Sequence, residues 1–208
     1  GARAAVTAGA GVLVMDDSFQ NPSLAKDLSL LVVDAAAGFG NGRVIPAGPL
    51  REPVAAGLTR ADAVVLIGTD AQAATALARW PILATRPLLR AWLEPLATGL
   101  PLQGTEVVAF AGIGRPEKFF ETLAAQGATV IAAHAFPDHA TYPRPLLRRM
   151  LAEARSRDAL LVTTEKDAVR LPAAFRPEVM ALPVRLRFAE PNRLDSMLGA
   201  ILPGADRA

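Results

Sequence analysis

The sequence predicts an α/β protein of mostly parallel sheets flanked by helices. Three observations carry that prediction. Apolar runs alternate with helical stretches along the chain, as strands joined by helical crossovers do. The runs "GVLVM" (11–15) and "AVVLIG" (63–68) are continuously apolar rather than alternating, which marks strands covered on both faces. Aromatic residues are only 5 % of the chain while Ala, Leu and Val abound, which favours helices packed on a sheet over a small all-β barrel.

Taken in order, the opening "GARAAVTAGA" reads as the body of a helix, expected over Ala4–Ala8. A chain that starts at Gly1 inside such a body is expected to be cut from something longer. Strands are expected at Val12–Met15, Leu30–Val33 and Ala63–Ile67, with a helix at Ala71–Ala78. Further strands are expected at Val107–Ala111, Thr129–Ala133 and Leu160–Thr163. Helices are expected at Pro116–Gln126, Arg144–Ser156 and Asn192–Leu202. Pro116 stands where a first helical turn accepts proline, and Gly127 is placed to close that helix.

Two proline-rich segments, "LLRAWLEPLATGLPLQG" and "EVMALPVRLRFAEP", each hold a short strand candidate and bracket the last three parallel strands. A chain leaving one lobe and returning needs two crossings. The expectation is therefore a first lobe over 1–89, a smaller α/β lobe over 90–188, linker strands near 90–97 and 181–188, and a final helix, 189–208, returning to the first lobe.

Composition narrows the chemistry. The 208 residues contain no cysteine, which excludes a disulfide framework, a thiol nucleophile and a cysteine metal site. A net charge of +2 gives no argument for nucleic acid as a partner. The basic stretch "YPRPLLRRMLAEARSR" reads as a solvated helix face or a contact for an anionic partner. No apolar run reaches the roughly 18 residues of a membrane span, and no signal peptide is visible.

Five stretches could carry chemistry. In "MDDSFQNP" an apolar run ends on Asp16 and Asp17. Paired acids there either hold Mg²⁺ beside nucleotide phosphates or form a turn and helix cap. In "VVDAAAGFGNGRVIPAGPLREP" glycines and prolines fix a long loop that presents Arg43, Arg51 and Glu52. Such glycines let a backbone approach a ligand closely, an arginine can neutralise phosphoryl oxygens and a glutamate can join a metal shell. The alternative is a surface loop with incidental charge. "VVAFAGIGRPEKFF" lacks the third glycine of a dinucleotide turn, so a tight βα turn is the better reading. "AHAFPDHATYP" holds both histidines: His134 reads as a packed strand-end residue, and Asp138-His139 as an acid–base pair or a structural one. In "LLVTTEKDAVRLP" the threonines and acids could cap a helix, or Lys166 could reach a phosphate.

Set in order, "MDDSFQNP", "DAAAGFGNGRVIPAGPLREP", "RADAVVLIG", "FAGIGRPEKFFETL", "FPDHATY" and "LLVTTEKDAVRL" resemble the tetraacyldisaccharide 4'-kinase family over nearly the whole chain. The resemblance implies a partial P-loop NTPase-like lobe joined by a two-stranded linker to a smaller α/β lobe. It implies transfer of the γ-phosphoryl of ATP, with Mg²⁺, to the 4'-hydroxyl of a lipid A disaccharide precursor at the cytoplasmic face of the inner membrane. Asp16 and Asp17 match the family's paired acids, as phosphate and metal organisers. Gln20 belongs to the same signature. Arg51 and Glu52 fall in its "LREP" loop, facing phosphates and metal. His139 matches the active-site histidine of the second lobe, which assists a catalytic carboxylate.

The family's glycine-rich phosphate loop, its catalytic carboxylate and its membrane-associated helix find no match here and are expected upstream of residue 1. The chain alone is accordingly expected to be inactive or nearly so. Ser18 stands where the family has glycine, and either strains a turn that wants positive φ or is tolerated there. The alternative function is a non-catalytic α/β module that binds a nucleotide or another anionic ligand.

Overall fold

The computed structural model describes residues 1–96 and 102–202. In chain order the elements are α1 (Ala2–Thr7), β1 (Leu30–Asp34), α2 (Val54–Leu58), β2 (Ala63–Ile67), α3 (Asp70–Arg79) and β3 (Leu88–Pro95). Then follow β4 (Glu106–Ala111), α4 (Pro116–Ala125), β5 (Thr129–Ala135), α5 (Arg144–Ser156) and β6 (Leu160–Thr164). The last are α6 (Glu165–Ala168), β7 (Met180–Leu182), β8 (Val184–Phe188) and α7 (Pro191–Gly199). Two 3-10 turns lie at Pro81–Thr85 and Ala173–Glu178. The α/β class with parallel sheets flanked by helices is as the sequence predicts.

The residues fall into two compact units, Gly1–Leu93 with Leu186–Ala208, and Glu94–Arg185. In the first, the sheet order is β1-β2-β3-β8, with β1, β2 and β3 parallel. Strand β2 explains its own sequence. Val64 and Leu66 pack on one face with Val33, Leu58, Ala73 and Ala76, under α2 and α3. Ala63 and Val65 pack on the other with Leu89, Leu194 and Met197, under α7. A strand apolar at every position is the expected solution when helices cover both sides. Helix α3 starts on a capping box in which Thr69 and Gln72 exchange side-chain and backbone hydrogen bonds.

The second unit has the order β5-β4-β6-β7, all parallel. Alternation along β4 divides its core. Val107, Ala109 and Ala111 meet Phe119 and Leu123 of α4, while Val108 and Phe110 meet Leu147, Met150 and Ala154 of α5. From β4 the chain crosses to β5 on one side, and later returns to β6 on the other. That reversal opens a crevice at the strands' carboxyl ends, where open α/β sheets bind ligands.

Gly11–Met15 departs from the expectation of a covered strand. It forms no strand, and Val12, Leu13 and Val14 are exposed, Val14 by 95 %. An apolar run becomes a strand only when a neighbour takes up its N–H and C=O groups, and among the described residues no strand pairs with it. Residue 97 of the expected linker and residues 203–208 of the terminal segment lie outside the described residues.

Candidate functional site

Four of the expected residues converge in the first unit. Asp17, Gln20, Arg51 and Glu52 line one pocket of about 240 Å³ with Phe19, Leu31, Phe39, Leu50 and Val54. The turn Asp17–Asn21 and the loop that enters α2 supply the polar side. The buried Leu58 of α2 ties that loop to the sheet. Asp16 is exposed and is not among the lining residues.

Glu52 is the electrostatic centre of the pocket. Its Oε1 accepts from Gln20 Nε2 at 2.7 Å and from the Arg60 guanidinium. Arg60, itself lying over the Phe19 ring, holds the Glu52 carboxyl below the usual range, and Gln20 adds to that. Both donors converge on Oε1, so Oε2 lies outside these two contacts. Arg51 makes no side-chain hydrogen bond among the described residues.

Asp17 and Glu52 bring hard carboxylate oxygens to one pocket, the donor type that suits Mg²⁺. Among the described residues no group of three His, Asp or Glu side chains could by itself hold a metal ion. The pair fits an ion that shares its shell with a ligand's phosphates, since Mg²⁺ is ordinarily held by one or two carboxylates plus phosphate oxygens.

Positive φ falls at Asp17 (48°) and not at Ser18, so the serine meets no demand for glycine. A short acid tolerates that conformation better than most side chains. Two glycines of the loop make room for Trp80: a β-carbon at Gly38 would lie 2.7 Å from its Nε1, and one at Gly42 2.5 Å from its ring, while Gly40 faces Pro49 and Gly48 faces Asn41 and Arg43. The loop folds against the indole, which Phe39 meets edge-on at 5.4 Å.

The second unit carries its own constellation at the sheet crevice. Asp167 is fully buried. Its Oδ2 accepts from Gly112 N at 3.0 Å and Thr164 Oγ1 at 2.7 Å, and its Oδ1 from the Tyr142 hydroxyl at 2.9 Å. Arg170 Nη1 lies 3.4 Å from Oδ1, and Arg170 Nη2 donates to His139 Nδ1 at 2.7 Å. His139, at φ 61°, borders a second pocket with Thr141, Tyr142, Arg170 and Pro172. Burial, then the bond to Asp167, pushes the Tyr142 hydroxyl far up. Lys166 Nζ donates to Asp138 Oδ1 at 3.1 Å and holds that carboxyl below its ordinary range. Thr164 caps α6 by accepting from Asp167 N. His134 of β5 lies 2.9 Å from Glu153 Oε2 of α5.

Sequence reasoning passed over Arg60, Gly112, Tyr142 and Arg170, and read Asp167 only among the acids of a helix cap. A signal existed for two of them. Thr164-x-x-Asp167 has the spacing of a helix cap, and Arg170 follows one turn later on the same side.

The model of the LpxK family, tetraacyldisaccharide-1-P 4'-kinase, matches residues 1–203. The tetraacyldisaccharide 4'-kinase of Dinoroseobacter shibae is 56 % identical over the whole chain, which covers 62 % of that relative. That of Rhodospirillum centenum is 58 % identical over 99 % of the chain and 60 % of the relative. The chain thus spans about three fifths of the curated relatives it matches. A crystal structure of LpxK from Aquifex aeolicus in complex with ATP superposes with a TM-score of 0.59, over 89 % of this chain and 56 % of that one, at 24 % identity, and shows a shared fold. With a family match across 203 residues and relatives identical at more than half of their aligned positions, the chain belongs to the tetraacyldisaccharide-1-P 4'-kinase family.

Proposed function

We propose that this chain forms part of an ATP-dependent kinase that phosphorylates the 4'-hydroxyl of a tetraacylated disaccharide 1-phosphate, a lipid A precursor. In this reading residues 1–89 and 189–208 belong to the nucleotide-binding lobe and 90–188 to the smaller lobe, linked through strands near 90–97 and 181–188. The enzyme works as a peripheral protein at the cytoplasmic face of the inner membrane. No described helix is long and apolar enough to cross a membrane.

One observation carries the reading: Asp17, Gln20, Arg51 and Glu52, distant in sequence, line a single pocket in a chain of this family. Phosphoryl transfer needs positioning and charge neutralisation more than covalent chemistry from the protein. Arg51 pairs with the oxygens of the transferring group. Asp17 and Glu52 would hold Mg²⁺, which would supply positive charge for the phosphates, and Asp16, outside the pocket lining, would contact the phosphates from the same turn. Gln20 and Arg60 keep Glu52 ionised and oriented. His139 acts on the acceptor side.

The test places these 208 residues in the matching part of the Dinoroseobacter shibae relative and measures ³²P transfer from ATP to the disaccharide acceptor. Transfer is expected, with a loss of about 100-fold or more in Asp17→Ala, the order seen when one transition-state charge contact is removed. A folded, ATP-binding chimaera that transfers nothing would contradict the proposal.

A further inference from the structure

We propose that Asp167 and Arg170 are positioning residues that fix His139 as a hydrogen-bond donor, with its ring proton on Nε2. The role given to His139 rests on the kinase reading above, but the geometry that fixes its ring does not.

Asp167 is fully buried, and a buried carboxylate is costly unless its lone pairs are taken up. Here Gly112 N, Thr164 Oγ1 and the Tyr142 hydroxyl take them at 2.7 to 3.0 Å, from the ends of β4 and β6 and from the loop before α5. Three donors from three segments leave the carboxylate little freedom. Arg170 is set against it, 3.4 Å from Oδ1, and is also 3.5 Å from Gly112 O. The guanidinium is planar and forked, so anchoring Nη1 aims Nη2 at His139 Nδ1, 2.7 Å away.

A guanidinium can only donate. Nδ1 is therefore the acceptor in that contact, and the proton of the ring lies on Nε2. The backbone holds the other end of the residue. His139 N lies 2.9 Å from Asp138 Oδ1 and 3.2 Å from Gly112 O, and Lys166 secures Asp138. Gly112 is the common point of this scaffold. A β-carbon there would come within 2.5 Å of the Tyr142 hydroxyl, so glycine keeps the Tyr142–Asp167 contact open.

The consequence is chemical. With its lone pair engaged by Arg170, His139 offers the pocket an N–H and not a base. It can donate to a carboxylate or phosphate oxygen. The side chain is 72 % exposed, and its Nε2 lies 3.7 Å from Asp138 Oδ2 at the rim of the pocket.

The decisive experiment is two-bond ¹H–¹⁵N correlation of the histidine rings in the ¹⁵N-labelled 208-residue chain, in mildly alkaline buffer where an imidazole is ordinarily neutral. His134 is the one other histidine, so a His134→Gln variant assigns the signals. The Nε2–H pattern is expected for His139 in the wild type. Arg170→Met is expected to convert it to a mixture with Nδ1–H, Arg170→Lys to restore it in part, and Asp167→Asn to loosen it as Arg170→Met does. Arg170, being partly exposed, decides the question if the Asp167 variant does not fold. A wild-type ring with its proton on Nδ1, or an unchanged tautomer in Arg170→Met, would overturn the proposal. In the chimaera assay Arg170→Met is expected to lower kcat at least tenfold with KM for ATP within twofold. An inactive wild-type chimaera would strike the kinase reading and leave the tautomer result standing.

Discussion

Glu52 shows how a single contact sets the state of a pocket residue. Arg60 lies eight positions on, beyond α2, and joins Gln20 in donating to one oxygen of the carboxylate. The folded-state pKa is depressed, so the contact contributes to stability at neutral pH, and that contribution is lost as pH falls through the depressed value. The effect is small, since Glu52 is a quarter exposed and Arg60 more so. Arg60→Ala is expected to bring the Glu52 titration midpoint back up toward the ordinary carboxylate range, read from its side-chain ¹³C shift. A midpoint that does not move would mean that Arg60 is not what holds the carboxyl down. At this scale the sequence said least. It presents Arg51, Glu52 and Arg60 as three charges near a loop, and only the entry of α2 determines which of them meet.

At the scale of elements, two runs of similar composition meet different fates. "AVVLIG" becomes β2, buried between helices, while "GVLVM" lies exposed without a ladder partner. Composition is blind to this difference because backbone pairing comes from elsewhere in the chain. Stability should register it. Leu66→Ala, at a fully buried position, is expected to cost about 2–5 kcal/mol. Val14→Thr, at an exposed one, is expected to stay within about 0.5 kcal/mol of the parent. Urea denaturation of the two variants beside the parent makes the comparison, and a large loss in Val14→Thr would mean that its segment is buried in solution. Helix signals fared better. Arg144–Ser156 forms over the expected residues, because its apolar positions recur on one face and Pro143 bars helix before it. The short α2 escaped notice, and α6 was legible only through its cap, as one turn of helix has no period to read.

For the whole molecule, fold class follows from rules that act on long stretches, which is why the parallel α/β architecture could be read early, whereas strand order came only with the structure. The pocket was legible only in part. Its residues stand in short motifs, but motifs do not report distances. Asp17 reaches the pocket while its neighbour Asp16 does not line it, because Asp17 takes a left-handed backbone conformation that turns the chain. The crevice of the second unit was less legible still. Asp167 reads as a cap residue, and only the return of β6 beside β4 brings it to Gly112 and, through Arg170, to His139.

The central claim is that the pocket of Asp17, Gln20, Arg51 and Glu52 receives the phosphates of a magnesium nucleotide. Calorimetric titration of the chain with ATP, with and without Mg²⁺, tests it most directly, beside Asp17→Ala and Glu52→Ala. Mg²⁺-dependent binding is expected, weakened about tenfold or more in each variant, the equivalent of about 1.4 kcal/mol or more. ATP affinity that is indifferent to Mg²⁺ and unchanged in both variants would contradict it.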